Sequence, residues 1–431
     1  MKFQTQIRYL ENPNLKYVLL DFFKNESNLI LLDGNASKGD SFEWVVAAGT
    51  VDEISVGSER AFEQIQDFHN RHKDWVFGSM SYDLKNGLEH LESKHPDGIQ
   101  APGLHFFLPK YLFVYSAHHF VVYHHESADE FDTAVFETDF NGSGNIGFNG
   151  IIKARVSRKA YVENVEAIKQ HIQRGDIYEM NYCQEFYAES TELNTLEVFR
   201  ALNRVSKAPF SCYFKLGNCH LISASPERFI KKDGTHVISQ PIKGTRRRST
   251  DKEEDARLKA ELFENQKERS ENVMIVDLVR NDLSRIAKKD SVKVDELFGV
   301  YTFDQVHHMI STISCELRED KGLKDVFEAA FPMGSMTGAP KIRAMELIEK
   351  FEQTKRGLYS GAVGYISPEG DFDFNVVIRS MQYNALNKYL SFMVGGAITI
   401  GSDAELEYEE CLVKAKALFE VLEGEYAESV S

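Results

Sequence analysis

The sequence predicts an α+β fold, and three features carry that reading. Runs rich in aromatic and β-branched residues, KYLFVYS and HHFVVYHH, read as two strands of a hairpin. The stretch LYSGAVGYISPEGDFDFNVVIRSMQYNALNKYLSFMVGGAITI reads as an antiparallel meander with PEGD at a tight turn. Stretches such as RKAYVENVEAIKQHIQRGD carry the 3.6-residue apolar period of amphipathic helices.

In chain order, residues 1–150 form a strand-rich N-terminal region, with a helix at FEQIQDFHNRHK. FNGSGNIGFNG gathers glycine, asparagine and serine and reads as a linker or long loop. Residues 151–425 mix helices and strands. The helix RKAYVENVEAIKQHIQRGD ends at Gly175, and DIYEMNYCQEFYAES and FSCYFKLGNCHLISAS follow as strands. TDKEEDARLKAELFENQKERSENVMIVDLVRNDLSRIAKK reads as two helices or one broken one. DVFEAAF and APKIRAMELIEKFEQ are further helices, and AELEYEECLVKAKALFEVLEG is the last.

Composition narrows the function. The 66 acidic and 50 basic residues give a net charge of −16. A general nucleic-acid binder and a protein held on anionic lipid are thereby disfavoured. An anionic substrate would need a local basic lining. The five cysteines form no CxxC pair, so neither a disulfide framework nor a zinc ribbon is expected. The start, MKFQTQIRYLENP, lacks a signal-peptide core, and no run approaches the roughly 20 apolar residues of a membrane helix. A cytoplasmic protein with no membrane or nucleic-acid partner is expected.

Some motifs are decoys. Gly142, Gly144 and Gly147 fit GxGxxG but sit inside the polar loop, not between a buried strand and a helix. Gly34 and Gly39 have P-loop spacing, yet Asp40 stands where lysine is needed. His118, His119, His124 and His125 would alternate over both faces of their strands. No GxCxG surround of a glutaminase nucleophile is present.

Five segments place charged and small residues inside apolar elements: SASPERF, QPIKGTRRR, ERSENVMIVDLVRNDL, FPMGSMTGAPK with SGAVGY and FNVVIRSM, and EYEECLVKAK. Glu268 and Glu271 are three apart on one helix face, as are Glu407 and Glu410, with Lys414 one turn on. Two such pairs suit a hard cation, which takes carboxylate and substrate oxygens and keeps several waters. Taken singly, such a pair is more often a solvated helix surface or a glutamate–lysine pair one turn apart. Lys243 precedes Gly244 and Thr245, and the glycine permits close approach of a ligand. A lysine nucleophile needs its pKa of about 10.4 lowered, by burial or by positive charge such as Arg246, Arg247 and Arg248 could supply. On spacing alone, a turn lysine in a solvated basic patch is the simpler reading.

Taken together and in order, PIKGTRR, ENVMIVDLVRNDL, GSMTGAPK, YSGAVGY, FNVVIRS and EYEECLVKAKAL resemble the chorismate-utilising enzymes. That family contains anthranilate, aminodeoxychorismate, isochorismate and salicylate synthases. The resemblance covers roughly Val156 to Leu422. It implies a two-layer α/β sandwich with facing antiparallel β-sheets and helices outside. Anthranilate synthases read PIAGT at the block that here reads PIKGT, and aminodeoxychorismate synthases often carry the lysine. The resemblance therefore implies conversion of chorismate and ammonia to 4-amino-4-deoxychorismate, for p-aminobenzoate and folate synthesis. Anthranilate synthase component I is the alternative.

The resemblance also assigns roles. Lys243 would attack C2 of chorismate and Glu227 would be the general acid for the departing C4 hydroxyl. Glu271 and Glu410 would hold Mg2+, with Glu268 and Glu407 supporting. Arg379, Tyr359, Lys414, Gly395, Gly396, His308, Thr337, Gly244 and Thr245 would form the substrate pocket. Ammonia would come from a separate glutamine amidotransferase subunit. Glu179 stands where many members have glutamine and salicylate synthases have a lysine base. In LILLDGNAS, Asp33 replaces a glutamate of the family's amino-acid inhibitor pocket, so tryptophan feedback is not expected.

Overall fold

The structure, a computed structural model, describes residues 3–8, 12, 14–35, 42–89, 91–116, 119–129, 131–138, 140, 142, 144–423 and 426–427. Gly39, Asp40 and His118 lie outside the described residues. Two antiparallel sheets form the centre. One runs through Asn28–Asp33, Phe210–Leu216, Cys219–Ser225, Ser380–Asn384, Tyr389–Ile398 and Glu179–Ala188. The other runs through Val76–Met80, Ala362–Ile366, Phe372–Val376, Arg228–Asp233, His236–Gln240 and Val306–Glu316. Two 13-residue strands, Trp44–Val56 and Leu104–Ser116, belong to both. Their mutual register shifts between Thr50 and Asp52, opposite Pro109 and Leu108. A bulge there bends the pair from one sheet into the other.

Strand alternation explains the layers. Ile30, Leu32, Val45, Ala47, Phe214 and Leu221 of the first sheet meet Phe77, Val363 and Tyr365 of the second in one core. On the first sheet's other face, Leu29, Leu31 and Val46 pack under the helices Leu15–Phe22, Arg158–Gln173, Thr195–Ser206 and Ala404–Leu422. Ala61–His72, Gln266–Ser284 and Leu323–Ala330 cover the second sheet in the same way. Strands buried on both faces need apolar side chains at every position, which is why NLILLD and WVVAAG lack polar alternation. Each such side chain contributes about 1.5–3 kcal/mol on burial. The predicted α+β sandwich with helices outside is the observed fold.

Two expectations change. The boundary near residue 150 does not separate two cores, because strands from residues 28–116 pair with strands from residues 210–216 and 362–366. The predicted meander is two hairpins, one in each sheet. Phe372–Val376 pairs with Ala362–Ile366, whereas Ser380–Asn384 pairs with Tyr389–Ile398. The chain changes sheets between them, where Arg379 adopts φ 51°, a turn that ends one strand line and starts another. The long helical stretch is two helices, Lys252–Glu264 and Gln266–Ser284. Asn265 breaks it, its side chain accepting the Glu268 amide at 3.0 Å as the N-cap of the second helix.

Candidate active site

The site forms where two neighbouring strand lines change sheets. Cys219–Ser225 lies in the first sheet and Arg228–Asp233 in the second, so Pro226 and Glu227 span the gap. Val377–Arg379 crosses beside them. The Val376 amide donates to the Glu227 carbonyl at 3.0 Å, and the Ala224 amide to the Arg379 carbonyl at 3.1 Å.

Lys243 enters from the strand Ile242–Arg247, whose pairing with Val306–Glu316 shifts register between Ile242 and Thr245. Gly244 sits in that bulge with φ 90°, and a Cβ there would lie 2.9 Å from Leu262 and 3.1 Å from a Glu268 oxygen. Lys243 is buried, with its amino group 3.7 Å from Glu179 Oε1. Glu179 is also buried, and its Oε2 has no hydrogen-bond partner. Burial pulls the Lys243 pKa down, but Glu179, Glu271, Glu227 and Glu268 outweigh it and hold the amine above the usual lysine range. The expected positive neighbours do not reach it. Arg246 lies 3.4 Å from Glu268, Arg247 2.6 Å from Glu254 and Arg248 2.9 Å from Asp255, each taken up by its own carboxylate. Burial pushes the Glu227 carboxyl up to about 7, against the lowering effects of Ser335, Lys243 and the Ile242 amide.

The two carboxylate helices meet beside this lysine. Glu271 is buried, its Oε1 has no hydrogen-bond partner, and burial pushes its pKa up to about 7. From the other helix, Glu407 is buried and Glu410 pairs with Lys414 at 2.7 Å. A Cβ at Gly396 would come within 3.0 Å of Glu407 Oε2, 3.6 Å of Lys414 Nζ and 3.8 Å of Glu410 Oε1. The bare backbone thus leaves room for this cluster. Lys414 donates to the Gly395 carbonyl at 2.7 Å. Among the described residues no three His, Cys, Asp or Glu side chains form a ready-made metal cage.

An open cleft of about 310 Å³ adjoins these groups, lined by Pro226, Thr245, His308, Arg379 and Lys414 among others. Thr245 Oγ1 and His308 Nδ1 are 2.9 Å apart. Burial and the Arg379 charge hold His308 near pKa 3, so it is neutral. Arg379 donates to the Lys414 carbonyl at 3.2 Å. The Tyr359 hydroxyl lies 3.7 Å from Cys183 Sγ, and burial raises its pKa. Thr337 stands apart from the expectation that its side chain lines the pocket. It is fully buried, and its hydroxyl donates within its own turn to the Met333 and Gly334 carbonyls, each at 3.2 Å. Its backbone carbonyl accepts from the Asn181 amide at 2.8 Å, which ties the turn to the strand carrying Glu179.

Sequence reasoning missed three contributors. Asn272, next to Glu271, is fully buried and accepts from the Ser311 hydroxyl at 2.6 Å. Arg356 and Glu352 form a buried pair beneath Asn181 and Met336. Lys267 reaches 3.8 Å from Glu271 and 3.5 Å from Glu407. Only Lys267 left a signal, one helical turn before Glu271. Asp33 accepts from Lys16 at 2.5 Å, from Asn203 at 2.9 Å and from the Asn35 amide at 3.1 Å, so its carboxylate is fully engaged.

A fold with facing sheets, a basic cleft and carboxylate pairs on two helices is what the chorismate-utilising enzymes were expected to show. Residues 25–420 match the family model described as chorismate binding enzyme, and the chain belongs to that family. It is 40% identical over 271 residues to the aminodeoxychorismate synthase component 1 of Escherichia coli (strain K12), covering 63% of this chain and 59% of that one. The chain thus matches about three-fifths of that relative's length. It is 35% identical over 360 residues to the anthranilate synthase component 1 of Thermus thermophilus, covering 81% and 77%. The crystal structure of anthranilate synthase component I from Streptococcus pneumoniae superposes with TM-score 0.74 at 27% identity, over 86% of this chain and 91% of that one. No helix among the described residues is long and apolar enough to cross a membrane.

Proposed function

We propose that the chain is a chorismate-aminating enzyme of the aminodeoxychorismate synthase component I type. It would convert chorismate and ammonia to 4-amino-4-deoxychorismate through an adduct on Lys243. The observation that carries this reading is Lys243 itself: a buried amine, 3.7 Å from Glu179 and within the electrostatic reach of Glu227, in the one block that separates the family's branches.

Glu227 supplies the acid. Hydroxide is a poor leaving group, and a carboxyl raised to about 7 is still half protonated at neutral pH. Proton transfer to the C4 hydroxyl lets it depart as water while the Lys243 amine bonds to C2. The amine must first lose a proton, and the unpartnered oxygen of Glu179 is a nearby acceptor. Ammonia then bonds to C4, gives up a proton, and the C2–N bond breaks to free the lysine. Arg379, Lys414 and the neutral His308 orient the substrate, the two cations facing its carboxylates.

Glu271 and Glu410 would hold Mg2+, with Glu268 and Glu407 beside them. The Glu271 oxygen without a hydrogen bond and the open Gly396 backbone fit a cation that shares its shell with water and substrate. Bound there, the ion neutralises a substrate carboxylate and withdraws electron density from the ring. With no glutaminase nucleophile in the sequence, ammonia would come from a separate glutamine amidotransferase subunit. The proposed compartment is the cytoplasm, supported by five buried free thiols.

A product assay tests the reading. Pure chain is incubated with chorismate, Mg2+ and ammonium at mildly alkaline pH. A species that becomes p-aminobenzoate on addition of the matching lyase is expected, and glutamine alone should give none. Anthranilate and pyruvate would instead favour the second reading, anthranilate synthase component I, which the Thermus relative supports over a larger share of both chains.

A further inference from the structure

Lys267 occupies an unfavourable place for a lysine. It is the second residue of the helix Gln266–Ser284, where the helix dipole repels a cation. It also precedes its partner Glu271 by four residues, the weaker order for a helical lysine–glutamate pair. Helix stability therefore does not account for it. What surrounds it does. Its ammonium lies 3.8 Å from Glu271 on its own helix and 3.5 Å from Glu407 on the helix Ala404–Leu422. Glu410 and Glu268 add to the negative potential around it. Glu407 and Glu271 are both buried, while the Lys267 side chain is 51% exposed at the rim.

We propose that Lys267 is a resident cation of the carboxylate cluster: its ammonium bridges the two helices in the metal-free protein and yields its place when a divalent cation binds. The inference rests on the magnesium reading above and adds to it a built-in competitor. Glu410 already has Lys414 and Glu268 has Arg246, but Glu271 and Glu407, on the two helices, would repel each other without the charge that Lys267 places between them. An exposed-end lysine balances them, yet binds too weakly to hold the position against a doubly charged ion. The device keeps the apo site assembled and sets how much cation is needed to fill it.

The experiment is calorimetric titration of the full chain with Mn2+ and with Mg2+, without substrate. The two neutral variants Lys267→Met and Lys267→Gln are expected to bind Mn2+ about tenfold more tightly than the native chain, or about 1.4 kcal/mol. In chelator they should melt at lower temperature than the native chain, and added Mn2+ should remove the difference. Lys267→Arg keeps the charge and should bind as the native chain does. Lys259→Met, which removes an exposed charge from the neighbouring helix Lys252–Glu264, controls for net charge and should change nothing. Equal or weaker binding by both neutral variants would overturn the inference and leave the metal reading standing. Native protein that takes up no Mn2+, or takes it up unchanged after Glu271→Gln, would remove both together.

Discussion

Two buried charge clusters lie close together in this protein and are built on opposite principles. Every N–H of Arg356 is engaged. Its Nε and Nη2 donate to Glu352 at 2.9 and 2.6 Å, and its remaining hydrogens reach the Met336 carbonyl, the Asn181 carbonyl and Ser360. Glu352 also accepts the Cys183 amide at 2.9 Å. Around Lys243 the accounts stay open. Glu179 and Glu271 each keep a buried oxygen without a hydrogen bond, and the lysine stands 3.7 Å from its nearest carboxylate. A satisfied cluster fixes one geometry. An unsatisfied one is costly to the free protein and holds its binding capacity for something absent.

The largest test of this contrast removes each central cation. Lys243→Ala should lower 4-amino-4-deoxychorismate formation by about 10³-fold or more, because it deletes the bond-forming atom. Mass spectrometry of the quenched native protein with chorismate should show an adduct that the variant lacks. Full activity in the variant, with no adduct on the native chain, would sink the nucleophile. Arg356→Met should act on folding instead, costing about 3–5 kcal/mol by stranding the Glu352 charge. Replacing Glu352 by leucine in the same chain should return part of that loss in a denaturant titration.

The contrast also explains what the sequence made legible. The mix of strands and helices could be read because the strands are aromatic and β-branched and the helices keep their period, whereas the sandwich itself came with the family resemblance. Lys243, Glu227 and the four glutamates could be read because they sit in blocks that resemble a family, and their residue types suit the chemistry. Arg356 could not be read, since TKRGLY looks like a solvated turn until the fold brings Glu352 and two carbonyls around it. Nor could the sheet change at Arg379. Hydrophobic alternation states which face a side chain takes, and says nothing about which of two sheets the next strand joins. The arginines after Lys243 misled for a related reason: adjacency in sequence suggested a shared field, and strand alternation with nearby acids took each one elsewhere.

The second test is smaller and uses pH. Glu227 has a folded pKa of about 7 against an ordinary carboxyl value near 4.5. Below pH 4.5 both states bind the proton and the group is neutral in its effect. Between the two values the folded protein keeps a proton that the unfolded chain has lost, so stability falls as pH rises, and above 7 the full cost is present. The difference amounts to about 3 kcal/mol. Glu227→Gln should therefore raise the melting temperature at pH 8, leave it nearly unchanged at pH 4, and cost about 10²–10⁴ in rate. A variant that is less stable at pH 8 would show that the native carboxylate is paired after all. In the Arg356 cluster, Glu352→Gln should destabilise instead, because it leaves the buried Arg356 charge without its carboxylate.

The smallest effect separates two adjacent glycines. A Cβ at Gly395 would sit 2.2 Å from the Tyr182 carbonyl and 2.5 Å from Cys183 Sγ, inside the ladder that carries Glu179–Ala188. The backbone cannot give way there without breaking strand pairing, so Gly395→Ala should destabilise the fold at every pH and metal concentration. A Cβ at Gly396 meets only the ends of Glu407, Lys414 and Glu410, at 3.0 to 3.8 Å. Those ends can turn aside, so Gly396→Ala should fold normally. Turning them aside displaces the carboxylates proposed to share the cation, and Mn2+ affinity should fall about threefold, under 1 kcal/mol. Two neighbouring methyl groups would then report on different things: one on the sheet that positions the site, the other on the space left inside it. Equal loss of stability in both variants would mean that Gly396 serves the strand alone and that the open backbone beside Glu407 is no cradle.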